Sequence, residues 1–231
     1  MNEENSASVH GVPGERARAA GVMRAIGPLL AAIFLCGLFL GALLPRVPSV
    51  AAGLGFLAVA GFLIWAVKDG MKGIDSFFKG ARGEEVVAGL LAGLPSGYHV
   101  FHDIRCGRGI DHAVAGPNGV FVIETKWWSG SVTLEEGVIR VNGALPSRSP
   151  IAQVRASTRA LASFLAEKLE AEPAVTGVVC FVGNTFVPRR VAGDGMVICN
   201  ASEVVPFIVA HAGHLSSKEI ERIVKVMERK E

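Results

Sequence analysis

Two uncharged apolar runs stand early in the chain, and beyond them short β-rich runs alternate with helical stripes. Residues 25–44 carry no charge over about the 20 residues that a helix needs to cross a bilayer. After the connector Pro45-Arg46-Val47-Pro48-Ser49, residues 50–67 form a second uncharged run, with Trp65 near its end where interfacial aromatics cluster. The pair predicts a transmembrane helical hairpin over residues 25–67. Residues 1–24 are polar and lack apolar periodicity, which predicts a flexible tail. A cleaved signal peptide fits poorly, because the region upstream of the first run is long and holds Glu3, Glu4 and Glu15. Gly37 and Gly41, and Ala51 and Gly55, have the spacing of close-packing devices and do not specify an oligomer.

From residue 68 the pattern changes. Val86, Val87, Leu90, Leu91 and Leu94 mark an amphipathic helix over 82–94, ended by Pro95-Ser96-Gly97. Residues 98–104 read as a strand before a Gly107-Arg108-Gly109 turn, and 131–134 with 138–141 as a hairpin. Ser149-Pro150 starts a helix whose stripe is Ile151, Val154, Leu161, Phe164, Leu165 and Leu169. Residues 175–182 and 196–199 are short runs suited to buried strands, with Arg189 and Arg190 in the loop between them. Residues 216–229 close the chain as a helix, Ser216 and Glu219 having capping-box spacing.

The central stretch is 110–126, two β-rich runs joined by a turn. Pro117 and Gly119 occupy the places a type I turn from Gly116 prefers. If Gly116 faces Gly119, pairing runs outward from Ala115 with Val120 to Asp111 with Glu124, and opposed residues share a sheet face. Lys126, two residues on, shares it too. Two carboxylates and an ammonium thus converge at the open end of an apolar hairpin, where charges need a partner or a metal. One reading is a structural ion pair between Lys126 and Glu124, which the loose spacing by itself favours. The other is a Mg²⁺ or Mn²⁺ site with Asp111 and Glu124 as oxygen ligands and Lys126 beside the attacking water. His112 should point to the opposite face and reads as a core histidine.

Several residues here form a recognisable pattern: Gly83-Glu84 opening a helix, Ile110-Asp111-His112, the run Gly119 to Lys126, Gly130, then Pro150 and Gln153. This segment resembles the nuclease-related domain, NERD, a branch of the PD-(D/E)xK nuclease superfamily. The resemblance implies a restriction-endonuclease-like mixed sheet flanked by helices. It also implies a two-carboxylate metal site, Asp111 and Glu124, with Lys126, assisted by the helical Glu84 and by Gln153. Trp127 and Trp128 depart from the pattern; they can stack on unpaired bases, but as strand residues they alternate faces and at least one reads as core.

Charge refines the picture. The formal net charge is +2, and beyond residue 68 basic and acidic side chains balance, so no global basic field marks a nucleic-acid binder. Locally, no acidic residue lies between Glu136 and Glu167, while Arg140, Arg148, Arg155 and Arg159 do. Arg148, Arg155 and Arg159 are the candidate phosphate contacts, with a solvated helix face as the simpler reading. Arg16, Arg18 and Arg24 precede the first span and Lys68, Lys72 and Lys79 follow the second, against Arg46 in the connector, which predicts cytoplasmic termini. Cys36, Cys106, Cys180 and Cys199 show no zinc spacing and read as reduced thiols.

The sequence therefore predicts an α/β chain with three parts: a cytoplasmic tail at 1–24, a two-helix anchor in the cell membrane at 25–67, and a cytoplasmic nuclease-like domain at 68–231 with its motif core at about 80–155. The expected activity is metal-dependent hydrolysis of phosphodiester bonds in DNA or RNA. The alternative is a catalytically silent, membrane-tethered nucleic-acid-binding or scaffold module on the same fold.

Overall fold

The computed structural model describes residues 6–38, 41, 49–71, 74–183 and 185–230. Along the chain run β1 (Ser8–His10), α1 (Glu15–Leu38), α2 (Ser49–Met71), α3 (Ile74–Leu91), β2 (His99–Cys106), β3 (Arg108–Gly116), β4 (Gly119–Lys126), β5 (Val132–Glu135) and β6 (Val138–Val141). They are followed by α4 (Pro150–Leu169), β7 (Val175–Phe181), β8 (Phe186–Val187), β9 (Arg190–Gly193), β10 (Met196–Asn200), α5 (Ala201–Ala210) and α6 (Ser217–Met227). The chain divides into two units, one holding β1 and everything from Gly80 on, the other Arg16–Lys79.

In the smaller unit, α1 begins ten residues before the apolar run. The alternation of arginine and alanine after Glu15 is strongly helix-forming, and an acidic residue in the first turn complements the helix dipole. The tail expected at 1–24 is therefore partly helix. Among the described residues one helix, Glu15–Leu38, is long and apolar enough to cross a membrane. Helix α2 exposes Val50, Leu54, Leu57, Ile64 and Trp65. Residues 45–48 of the predicted connector and the end of the first predicted span lie outside the described residues, as does Lys72. Phe77 packs against α1 at Gly21, where an added Cβ would stand 2.9 Å from the Phe77 Cβ.

The larger unit is a seven-stranded mixed sheet in the order β1-β2-β3-β4-β7-β10-β9. The predicted hairpin register is present: Gly116 pairs with Gly119, Ala115 with Val120, and the ladder continues to His112 with Ile123. Gly116 has to be glycine, because the Tyr98 ring lies over it and would overlap an added Cβ. Strand β4 then pairs in parallel with β7, reached through the crossover helix α4, and β7 in parallel with β10. Ser149 caps α4 as expected, its hydroxyl accepting the Ala152 N–H, and Pro150 opens the first turn.

Alternation along the strands sends side chains to two cores. Ala113, Ala115, Val120, Val122, Val179 and Phe181 meet Val154, Leu161 and Leu165 of α4 and Ile220 and Ile223 of α6. Val114, Phe121, Ile123, Val178 and Val197 meet Val87 and Leu91 of α3 and Val204 and Ile208 of α5. The result is a mixed sheet flanked by helices on both faces. A three-stranded sheet, β6-β5-β8, accompanies it and includes the predicted hairpin.

Four features differ from the pattern. Ser8–His10 forms an edge strand parallel to β2, too short at three residues to show alternation. Helix α3 starts at Ile74, upstream of the apolar stripe that marked it. Arg190 opens the short strand β9 instead of lying in a loop. Helix α5 is apolar almost throughout and contains Pro206, so it lacks the amphipathic signature. The C-terminal helix has its capping box, Ser216 with Glu219.

Candidate functional site

At the open end of the β3–β4 hairpin the side chains follow from strand parity. Val120 and Val122 face the α4 side, so Glu124 and Lys126 face it too. Lys126 Nζ donates to Glu124 Oε1 at 2.5 Å, and Glu124 is buried at 8% exposure. Asp111 is half-buried, and its Oδ2 accepts the backbone N–H of Thr125 at 2.8 Å. That bond stands just past the last ladder pair, where the expected Asp111–Glu124 opposition falls. Burial raises the proton affinity of the Asp111 carboxyl, and the charges of Glu124 and Asp103 raise it further; Lys126 and the Thr125 N–H oppose them. Its pKa is pushed up to about 7.

Asp103 was not singled out in the sequence. In the β2–β3 ladder His102 pairs with His112 and Ile104 with Ile110, which leaves Asp103 opposite Asp111 with neither in the ladder. Asp103 takes φ 55, a left-handed conformation that aspartate adopts more readily than most residues. The signal was available. A tight turn at Gly107 fixes the register of its flanking strands, and counting back from it sets Asp103 across from Asp111.

Gln153 lies one turn into α4, on the helix that packs over the Glu124 face. It is half-buried, and its Oε1 is shut from solvent with no hydrogen-bond partner. Glu84 is half-buried in α3, on the opposite side of the sheet. Its neighbour Gly83 abuts the end of β4, where an added Cβ would stand 3.2 Å from the Trp127 Cβ and 3.6 Å from Thr125 Cγ2. The structure thus gathers Asp111, Glu124 and Lys126 directly, brings α4 with Gln153 over them, and sets α3 with Glu84 at the same strand end from behind.

His112 is fully buried on the other face, its Nδ1 2.7 Å from His102 Nδ1. Burial holds His102 down to about 4 and His112 to about 3, so the pair is neutral at physiological pH. Both tryptophans are half-buried and divide between the cores, Trp127 against the α3 side and Trp128 against the α4 side, with its ring 5.5 Å from Phe181. Arg148, Arg155 and Arg159 are exposed, and Arg155 pairs with Asp194 at 3.3 Å.

Among the described residues no three His, Cys, Asp or Glu side chains form a ready-made metal cage. The donor set nonetheless suits a hard cation. Oxygen ligands crowd one another with a single ammonium to offset them, and Mg²⁺ binds through one or two carboxylates while keeping several waters.

Comparison with known families bears on this strand end directly. Residues 79–182 match the family model of NERD, the nuclease-related domain. The NERD match runs from the second turn of α3 through β7, and so takes in Glu84, Asp111, Glu124, Lys126 and Gln153 as well as Asp103. It leaves out β1, α1, α2, the first turn of α3 and everything after Val182. No curated protein and no solved structure matches the chain.

Proposed function

We propose that the chain is a membrane-anchored, metal-dependent nuclease that hydrolyses phosphodiester bonds of DNA or RNA at the open end of the β3–β4 hairpin. The observation that carries this reading is the crowding of Asp111 by Glu124 and Asp103 beside Lys126, within the segment that matches NERD. Asp111 and Glu124 would hold Mg²⁺ or Mn²⁺, which when bound polarises a phosphate and lowers the pKa of a coordinated water. Lys126 stabilises negative charge developing on the phosphate and orients the attacking water. The buried, unpartnered amide oxygen of Gln153 is an acceptor for that water. Glu84 completes the acidic set from the α3 side.

Helix α1, with α2 as a second span, would hold the domain at the membrane with both termini cytoplasmic, as the lysine and arginine distribution favours. Reporter fusions after Glu231 and within the 45–49 connector test that arrangement, and a translocated C-terminus would contradict it.

One observation favours a catalytically silent scaffold instead. The Lys126–Glu124 contact at 2.5 Å neutralises a carboxylate with no metal at all. Cleavage decides. The full chain in detergent should cut at least one of single- or double-stranded DNA or RNA when Mg²⁺ or Mn²⁺ is added, and should cut none in chelator. Binding without cleavage under every metal condition would favour the scaffold.

A further inference from the structure

On the flank of α4, where it meets the sheet, lies a pocket of about 240 Å³, lined by Arg155, Thr158 and Arg159 on the helix and by Gly177, Asp194, Gly195 and Met196 on the sheet side. Three features give it a chemical preference. Two guanidinium groups face one carboxylate, Asp194, and that carboxylate is already engaged by Arg155 Nη2 at 3.3 Å. Arg159 is therefore the uncompensated charge of the lining. The Thr158 hydroxyl lies buried at the inner wall without a hydrogen-bond partner, so a turn about χ1 brings a donor to an acceptor held in the pocket and breaks no existing hydrogen bond. Gly177 lets α4 sit close on the sheet, since a Cβ there would stand 2.9 Å from Thr158 Oγ1 and 3.2 Å from Val154 Cγ2, and so it brings Thr158 to the pocket's inner wall. An anion with several acceptor oxygens suits the guanidinium and the hydroxyl together, and guanidinium forks match phosphate in particular.

The pocket's place in the sheet relates it to the hairpin site. Gly177 pairs with Val122 of β4, two residues before Glu124 on the same face. At the usual strand spacing and rise, its backbone is about 8 Å from that of Glu124. That separation is about one phosphodiester repeat, because the backbone winds round the helix axis and successive phosphates of one strand lie about 7 Å apart, roughly twice the axial rise of about 3.4 Å.

We propose that the Arg155–Thr158–Arg159 pocket binds a backbone phosphate of the nucleic acid adjacent to the bond being cut. The assignment rests on the nuclease reading and sharpens it. Arg155 is a braced wall, Arg159 the principal charge, Thr158 a neutral donor, and Arg148 lies outside the pocket.

The test is equilibrium binding of a short fluorescent oligonucleotide, single-stranded and duplex, to the full chain in chelator across a salt series. Inorganic phosphate serves as competitor, and cleavage is measured in parallel with Mg²⁺. Arg159→Ala should weaken binding about tenfold and reduce the slope of log affinity against log salt by about one. Thr158→Val keeps the shape, so it should weaken binding severalfold with the salt slope unchanged. Inorganic phosphate should compete less well against Arg159→Ala than against wild type. Wild-type affinity and salt slope in both variants, in a chain that cleaves, would overturn the pocket and leave the nuclease reading standing. Weakened variants of a chain that binds but never cleaves would support the pocket and remove the catalytic reading. A wild-type chain that binds no nucleic acid would overturn both, and phosphate binding without oligonucleotide binding would make the pocket a free-anion site.

Discussion

Lys126→Met should lower nucleic-acid turnover by about two orders of magnitude or more while metal binding persists. The size is that of removing one well-placed electrostatic group from a reacting phosphate. Metal should still bind because the change takes away no oxygen ligand and sheds a nearby positive charge. The same substitution has a structural cost, since Lys126 is the hydrogen-bonded partner of a carboxylate only 8% exposed. Leaving Glu124 uncompensated should lower metal-free stability by about 1 to 3 kcal/mol. The two consequences separate in thermal melts, because a divalent ion that binds only the folded state restores stability by mass action. Recovery of the lost midpoint with Mg²⁺ agrees with a metal site. A deficit that Mg²⁺ leaves untouched marks Lys126 as a purely structural partner.

Asp111→Asn should act in the opposite sense on the metal-free protein. The Asp111 carboxyl is pushed up to about 7, above the ordinary aspartate value, first by burial and then by Glu124. A raised folded-state pKa means that the folded chain holds the proton more tightly than the unfolded one. The favourable contribution is therefore complete below about pH 4 and is lost as pH rises to about 7, a change of roughly 2 to 4 kcal/mol. Asparagine does not titrate, so the variant should lose this part of the pH slope and melt no lower, or slightly higher, than wild type at pH 8 in chelator. In Mg²⁺ the order should reverse, because the variant lacks a charged ligand. Parallel slopes in chelator for wild type and Asp111→Asn would show that Asp111 is not under the stress assigned to it.

The parts of this arrangement that could be read from the sequence are those set by short-range rules. Pro117 and Gly119 defined a turn, the turn defined a register, and parity then placed Glu124 and Lys126 on one face; the ladder from Gly116–Gly119 to His112–Ile123 follows that register. Capping did the same for α4 and α6, where Ser149 and Ser216 mark the starts.

Long-range pairing was not readable in this way. The placement of β7 beside β4 and of β10 beside β7 depends on parallel crossovers, and apolar runs carry no signal for which neighbour they will choose. Strand β1 gains its identity only from the edge of β2 that it covers. Asp103 is a different case: the turn at Gly107 sets it across from Asp111, but its own run, His-Val-Phe-His-Asp-Ile, reads as an ordinary strand with one polar interruption. Nor did spacing disclose that Arg155 would be tied to Asp194, 39 residues away, while Arg148 stood apart from the pocket.

The account stands on a divalent ion being held by Asp111 and Glu124. Calorimetric titration of Mn²⁺ into the full chain at pH 8, for wild type and for Glu124→Gln, tests that most directly. The expected result is saturable binding to wild type that is lost or weakened at least about tenfold in Glu124→Gln, and that weakens in wild type as the pH falls below 7, where Asp111 takes up a proton. Absence of saturable binding to wild type, or equal binding by the Glu124→Gln chain, would contradict it.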